Sequence, residues 1–236
     1  MTAVPNVVLV HGGFVDGSGW RPVYDLLRAE GFGVHVVQNQ TLSLASDVAT
    51  THAVLDKIDG PAILVGHSYG GAVITESGRH PNVAGLAYIA AFAPDAGQSV
   101  NTLLGMLEPD APQPPILPPV DGFLFLDRDK FAASFSGDLP AADATFLADS
   151  QVPWSVDALG GTVTEPAWRS KPAWYLVARD DRMIDPRLQR SMAAHIGATV
   201  AEAPGSHSVY ISQPQATADL IKVAAQQVAA EAAQTV

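Results

Sequence analysis

A chain of 236 residues that is 47% hydrophobic and 16% charged has enough apolar side chains for one large core and is not a disordered segment. Its formal charge of −11, with only 13 Lys and Arg, argues against nucleic acid or an anionic membrane as a partner. With no cysteine, disulfides, thiolate metal sites and a cysteine nucleophile are excluded, and the apolar run Val7–Val10 is too short for a signal-peptide core or a membrane span, so the cytoplasm is the expected location.

Val7–Val10 is a β-branched run of buried-strand length that ends in His11-Gly12-Gly13-Phe14. A helix follows, with Val23, Leu26 and Leu27 on one face and Gly31 as its stop, and then a strand from Gly33 to Val37. A helix is expected from about Ser46 to Ile58, with Ser46 or Asp47 as its cap. The next strand, Ala62-Ile63-Leu64-Val65, leads through Gly66-His67-Ser68-Tyr69-Gly70 into a helix, and residues Ala84–Ala90 form another strand. From about residue 95 to 172 the alternation breaks into proline clusters and scattered aromatics, with helical patches near 129–135 and 141–149. We read this stretch as a small cap inserted in a single domain, 1–236. A strand at Ala173–Ala178, a helix from Pro186 to about Ile196, a strand at Thr199–Ala203 and a long alanine-rich helix from Pro214 to about Ala233 complete the chain. Alternation at this spacing predicts a mostly parallel sheet of about six strands flanked by helices.

The chemistry centres on Ser68. Gly-x-Ser-x-Gly is a weak pattern in a chain with 20 glycines, but between a strand and a helix it forms a sharp turn that lifts the serine above the sheet. The turn also aims the backbone N–H of Tyr69 at whatever the hydroxyl attacks. A serine hydroxyl needs a base. Of the seven histidines, His207 lies in the loop after the last strand, at the carboxyl edge where sites of open α/β sheets collect. His67 is expected to point away from the site, and His11 to order loops. A histidine base needs a carboxylate to orient it, and the loop after Ala173–Ala178 offers Asp180, Asp181 and Asp185. Asp185, just before Pro186, suits a helix cap. Asp180 and Asp181 are not separated by these arguments alone.

The first loop lacks the third glycine of a dinucleotide fingerprint, because Pro22 stands in its place. The sequence also holds no phosphate-binding Gly-Lys-Ser/Thr loop and no His-Glu-x-x-His ligand pair, so no cofactor or metal is expected. The walls of the substrate pocket are expected from Phe14, Tyr69, Phe92, Phe125, Phe135, Trp154 and Met183, and the substrate should be a small molecule with a neutral, apolar acyl or alcohol group.

Four stretches spread along the chain carry a resemblance. They are Leu9-Val10-His11-Gly12-Gly13-Phe14 with Gly19-Trp20, Gly66–Gly71, Asp181-Arg182-Met183-Ile184, and Gly205-Ser206-His207. In these the chain resembles the α/β-hydrolases, most closely the branch of small bacterial carboxylesterases, plant methyl esterases of the salicylate-binding type and plant hydroxynitrile lyases. The resemblance implies an α/β-hydrolase fold and a Ser68–His207–Asp181 triad, since in that family the acid precedes a short apolar turn. It also implies that the Gly13 N–H joins that of Tyr69 as an oxyanion donor. The implied activity is hydrolysis of small carboxylic esters. Lactone hydrolysis, cyanohydrin cleavage and slow-turnover ligand reception are the alternatives on the same scaffold. Gly12 and Ser208 stand where the lyases carry threonine and lysine, which counts against cyanide chemistry.

Overall fold

A computed structural model describes residues 6–234. The first half alternates as the spacing predicts: β1 (Asn6–Val10), α1 (Arg21–Ala29), β2 (Val34–Val37), α2 (Leu44–Leu55), β3 (Ala62–His67), α3 (Gly70–Ser77) and β4 (Val83–Ile89). The stretch that follows holds α4 (Val100–Leu104), β5 (Phe123–Leu124), α5 (Arg128–Phe135), α6 (Ala141–Asp149), β6 (Trp154–Ser155) and α7 (Val156–Gly160). Then come β7 (Ala173–Ala178), α8 (Pro186–His195), β8 (Thr199–Ala203), α9 (Val209–Ser212) and α10 (Pro214–Gln234).

Six of these strands form one sheet in the order β2-β1-β3-β4-β7-β8, with every neighbouring pair parallel. The period of two along each strand divides its side chains between two cores. Val8, Val10 and Leu64 meet Leu55, Val73 and Ile74 on one face; Val7, Leu9, Ile63 and Val65 meet Trp20, Leu27 and Ile221 on the other. All of these are fully buried, each contributing about 1.5–3 kcal/mol relative to exposure. Helix α10 is seated by Leu220, Ile221, Ala224, Ala225 and Val228, buried at helical spacing.

The short β5–β6 pair is antiparallel and separate from the main sheet. The segment between β4 and β7 lies across the carboxyl ends of the parallel strands. Val152 N–H donates to Phe14 O beyond β1, Ser155 N–H to Thr41 O beyond β2, and Ser208 N–H, beyond β8, to Phe135 O.

Two expectations are corrected here. Helix α2 begins before Ser46: Ser43 is its cap, accepting from Ser46 N–H while the Ser46 hydroxyl accepts from Ser43 N–H, a reciprocal box one turn earlier than expected. Asp47 is therefore not a cap and is wholly buried. Phe125, expected in the pocket wall, is half-buried with Phe123 along a separate groove, because pairing in this hairpin gives the alternate residues Leu124 and Leu126 to the core.

The junction of β3 and α3 has no spare room. A Cβ on Gly70 would lie 2.6 Å from the Val10 carbonyl oxygen and 2.8 Å from that of His11, both backbone atoms of β1 or its exit. Gly70→Ala should therefore destabilise the fold by about 1–3 kcal/mol or more, read as a fall of several degrees in Tm. Gly160→Ala, where an added Cβ meets nothing within 4 Å, should stay within about 0.5 kcal/mol of the parent.

Candidate active site

Ser68 has φ +55, a left-handed conformation that a non-glycine residue adopts only when its surroundings impose it. Here the ladder does so. Ser68 N–H donates to Ile89 O, and Ser68 O accepts from Phe92 N–H at 3.1 Å and Gly71 N–H at 2.9 Å. Gly66 lets the chain double back, since a Cβ there would meet Gly70 O at 2.5 Å. Ser68 opens onto a cleft whose other walls include Gly13, Phe14, Phe92, Trp154 and Met183.

His207 and Asp181 meet at a neighbouring loop junction. His207 Nδ1 lies 2.8 Å from Asp181 Oδ2, and the two side chains are 1% and 0% exposed, so water does not compete for this contact. Asp181 Oδ1 accepts from Met183 and Ile184 N–H, at 2.7 and 3.0 Å, and Oδ2 also accepts from Gln189 Nε2 at 2.8 Å. The carboxylate is thus held by four donors. Asp180 is exposed and turns to Gly205 N–H at 2.9 Å. Asp185 caps α8 by accepting from Arg187 N–H.

His67 points toward the His207 loop. A carbonyl can only accept, so His67 Nε2–H donates to His207 O at 2.9 Å, and the two rings lie 4.6 Å apart. Complete burial, with His207 nearby, holds the His67 imidazole well below its ordinary pKa, in the neutral form. His11 is also pushed down by burial. Its Nδ1–H donates to Gly12 O at 2.9 Å and its Nε2 accepts Asn39 N–H at 2.9 Å, which ties two loops together. In a planar trans peptide the Gly13 N–H points opposite to the Gly12 carbonyl, so His11 turns that amide away from itself. Tyr69 stands at the N-terminal end of α3, where amides have no helical partner.

Of the expected wall residues, Phe14, Phe92, Trp154 and Met183 line the cleft, joined by Leu104, Pro114, Ile116 and Ile184. Phe135 does not line the cleft. It is fully buried and packs edge-on against the His207 ring, at 4.7 Å and 82°. Sequence reasoning missed two holding residues. Gln189, on the buried stripe of α8 with Met192 and Ala193, anchors Asp181, and its signal is an uncharged polar residue at a buried helical position. Asp138, beyond α5, accepts from Ser206 N–H at 3.1 Å and from the Ser206 hydroxyl. Burial works to raise the Asp138 carboxyl, but the hydrogen bonds from Ser206 outweigh it and hold the group low. No local pattern marks Asp138. Among the described residues no group of three or more His, Asp or Glu side chains converges to hold a metal ion, and no helix is long and apolar enough to cross a membrane.

The sequence profile of the alpha/beta hydrolase family matches residues 7–220. A pyrethroid hydrolase of Sphingobium wenxiniae is 30% identical over 247 residues, covering 92% of this chain and 86% of that protein. A carbendazim hydrolyzing esterase of a Nocardioides species is 38% identical over 113 residues, 42% of this chain and 47% of that protein. The crystal structure of a pyrethroid hydrolase from Sphingobium faniae superposes with a TM-score of 0.81 at 26% identity, covering 95% of this chain and 98% of that one.

The buried histidines set a pH dependence of stability. The folded chain does not take up on His67 the proton that the unfolded chain binds below about pH 6.5. The stability involved is therefore present above that pH and is lost on acidification, at up to about 1.4 kcal/mol per pH unit for one proton. Tm should fall between pH 7 and 5, and His67→Gln should make the fall shallower. An unchanged slope in thermal melts of the variant would refute this.

Proposed function

The chain belongs to the alpha/beta hydrolase family, and we propose that it is an ester hydrolase in which Ser68 is the nucleophile, His207 the base and Asp181 the orienting acid. The observation that carries this reading is the buried His207–Asp181 pair, whose loop is hydrogen-bonded to the residue preceding Ser68. Relatives named as a pyrethroid hydrolase and a carbendazim hydrolyzing esterase support an ester substrate.

Each of the three residues has its own part in this reading. With Nδ1 engaged by Asp181, the free nitrogen of His207 is Nε2, which accepts the Ser68 proton as Oγ attacks the ester carbonyl. Asp181 stabilises the imidazolium that results. The tetrahedral oxyanion is received by the N–H groups of Gly13 and Tyr69, each worth about 2.7–4 kcal/mol in comparable sites. His207 then protonates the departing alcohol. A water, deprotonated by the same nitrogen, attacks the acyl-enzyme, and the acid leaves.

Ser68 is the one hydroxyl on the cleft wall, and none of the lining residues is charged. An apolar lining without a charged residue suits an uncharged, largely apolar acyl or alcohol group. The segment between β4 and β7, which supplies Trp154, Ile116 and Leu104, acts as the cap that sets this shape. Where the lyases carry a lysine after the base, Ser208 here is bound through both its N–H and its hydroxyl to Phe135 O, which leaves no cation for cyanide.

Ser68→Ala should lower kcat on a short p-nitrophenyl ester by at least about 10⁴-fold. Asp181→Asn should cost about 10³–10⁴-fold and Asp180→Asn less than about tenfold, measured by steady-state kinetics. Equal large losses, or a loss in Asp180→Asn alone, would overturn the assignment of the acid.

A further inference from the structure

The mechanism uses one buried carboxylate, yet a second is bonded to the residue that follows Ser68. Asp47, in the first turn of α2, is 0% exposed. A carboxylate so placed is costly to desolvate, and the groups that hydrogen-bond to it are uncharged. Burial raises its carboxyl above the ordinary range against hydrogen bonds from Tyr69, Thr41 and the Gln40 backbone.

Its two oxygens reach two different parts of the site. Oδ2 accepts from Tyr69 Oη at 2.7 Å. Tyr69 follows Ser68 directly, and its N–H is the proposed oxyanion donor. Oδ1 accepts from Thr41 N–H at 3.0 Å. Thr41 has φ +56, a genuine outlier for a β-branched residue. The rest of Thr41 grips the cap: its hydroxyl lies 2.7 Å from Pro153 O, as it does from Gln40 O, and its carbonyl accepts Ser155 N–H at 3.0 Å. These contacts bracket Trp154. The indole in turn packs on Tyr69 with ring centroids 5.3 Å apart and edge-on to Phe14 at 5.2 Å. It leaves no space at Gly13, where a Cβ would lie 2.7 Å from its ring.

We propose that Asp47 is a positioning residue that holds the Tyr69 amide and the Trp154 wall in register, so that one buried carboxylate sets both the oxyanion donor and the shape of the acyl pocket. The inference rests on the esterase reading given above. Asp47 joins the Tyr69 side chain to Thr41, Thr41 holds the backbone on either side of Trp154, and Trp154 packs back on Tyr69, which closes a ring of contacts beside the residue that follows Ser68.

The test compares Tyr69→Phe, which removes one oxygen and keeps the ring and the amide, with Asp47→Asn and the double variant. kcat and KM are measured on p-nitrophenyl acetate and on p-nitrophenyl hexanoate, per active site titrated with a fluorophosphonate, at a temperature well below each Tm. Small misplacements at a reacting centre cost up to about 10²-fold. Tyr69→Phe should therefore lose roughly 10- to 100-fold in kcat on both esters with KM nearly unchanged. Asp47→Asn should show the same loss and also shift the hexanoate-to-acetate ratio of KM by at least about fivefold, and the double variant should be no worse than Asp47→Asn alone, as members of one network are not additive. Variants with lower Tm but kcat and KM within twofold of the parent per titrated site would overturn the proposal, as would a double variant whose losses multiply. If Asp47→Asn does not fold, Tyr69→Phe decides by itself. An unmodified chain that neither turns over the esters nor reacts with the fluorophosphonate would overturn the esterase reading and this inference with it; an active chain with indifferent variants would overturn the inference alone.

Discussion

The site depends on holding one serine in a backbone conformation it would not choose. Ser68 stays at φ +55 because β3 on one side and α3 on the other are both fixed before the turn is made. Every residue of β3 is buried, and the strand is paired on both edges, by β1 and β4. Helix α3 approaches so closely that Gly70 touches the backbone of β1's exit. The strain, of order 1–3 kcal/mol, is spread over elements that lose far more if they separate. The hydroxyl therefore remains at the carboxyl edge of the sheet without a dedicated side chain to hold it there.

Around this turn the chain distributes negative charge with care. It carries −11 overall, yet Asp181, Asp180 and Asp138 each accept hydrogen bonds from the loops around the histidine. Asp181 is saturated by two amides, a glutamine and the histidine. Asp180 and Asp138 take the amides of Gly205 and Ser206, so they grip the histidine loop from the strand side and from the inserted segment. Phe135, from the same segment, covers the imidazole. The insertion is thus part of what holds His207, as well as a wall for ligands.

Much of this was legible in the linear sequence. The alternation of apolar runs and helical stripes is a local signal, and it located all six strands of the sheet and the helices outside the inserted segment that alternate with them, but not α4 or α7. The Gly-x-Ser-x-Gly turn declared itself by its glycines and by the strand before it. His207 was marked by position, just past a strand of a parallel sheet, whereas position left Asp180 and Asp181 level and only the family resemblance chose between them. The readings that failed were those in which a neighbour distant in sequence decides. Phe125 looked like any other aromatic of the insertion until the pairing of its hairpin set it along a separate groove. Asp47 looked like a helix cap, because a cap and a buried anchor differ only in what stands opposite.

Local patterning, which needs no partner beyond the next few residues, was enough to determine the strands of the sheet, the helices that alternate with them, the elbow and the chemical types that meet at it. Which groups face one another across the fold was decided by packing alone: His67 against the carbonyl of His207, Asp138 against Ser206, Gln189 against Asp181, and Asp47 against Tyr69. These contacts join residues 8 to 140 positions apart. Hydrogen bonds of that span depend on where whole elements come to rest, and no periodicity in the sequence records it.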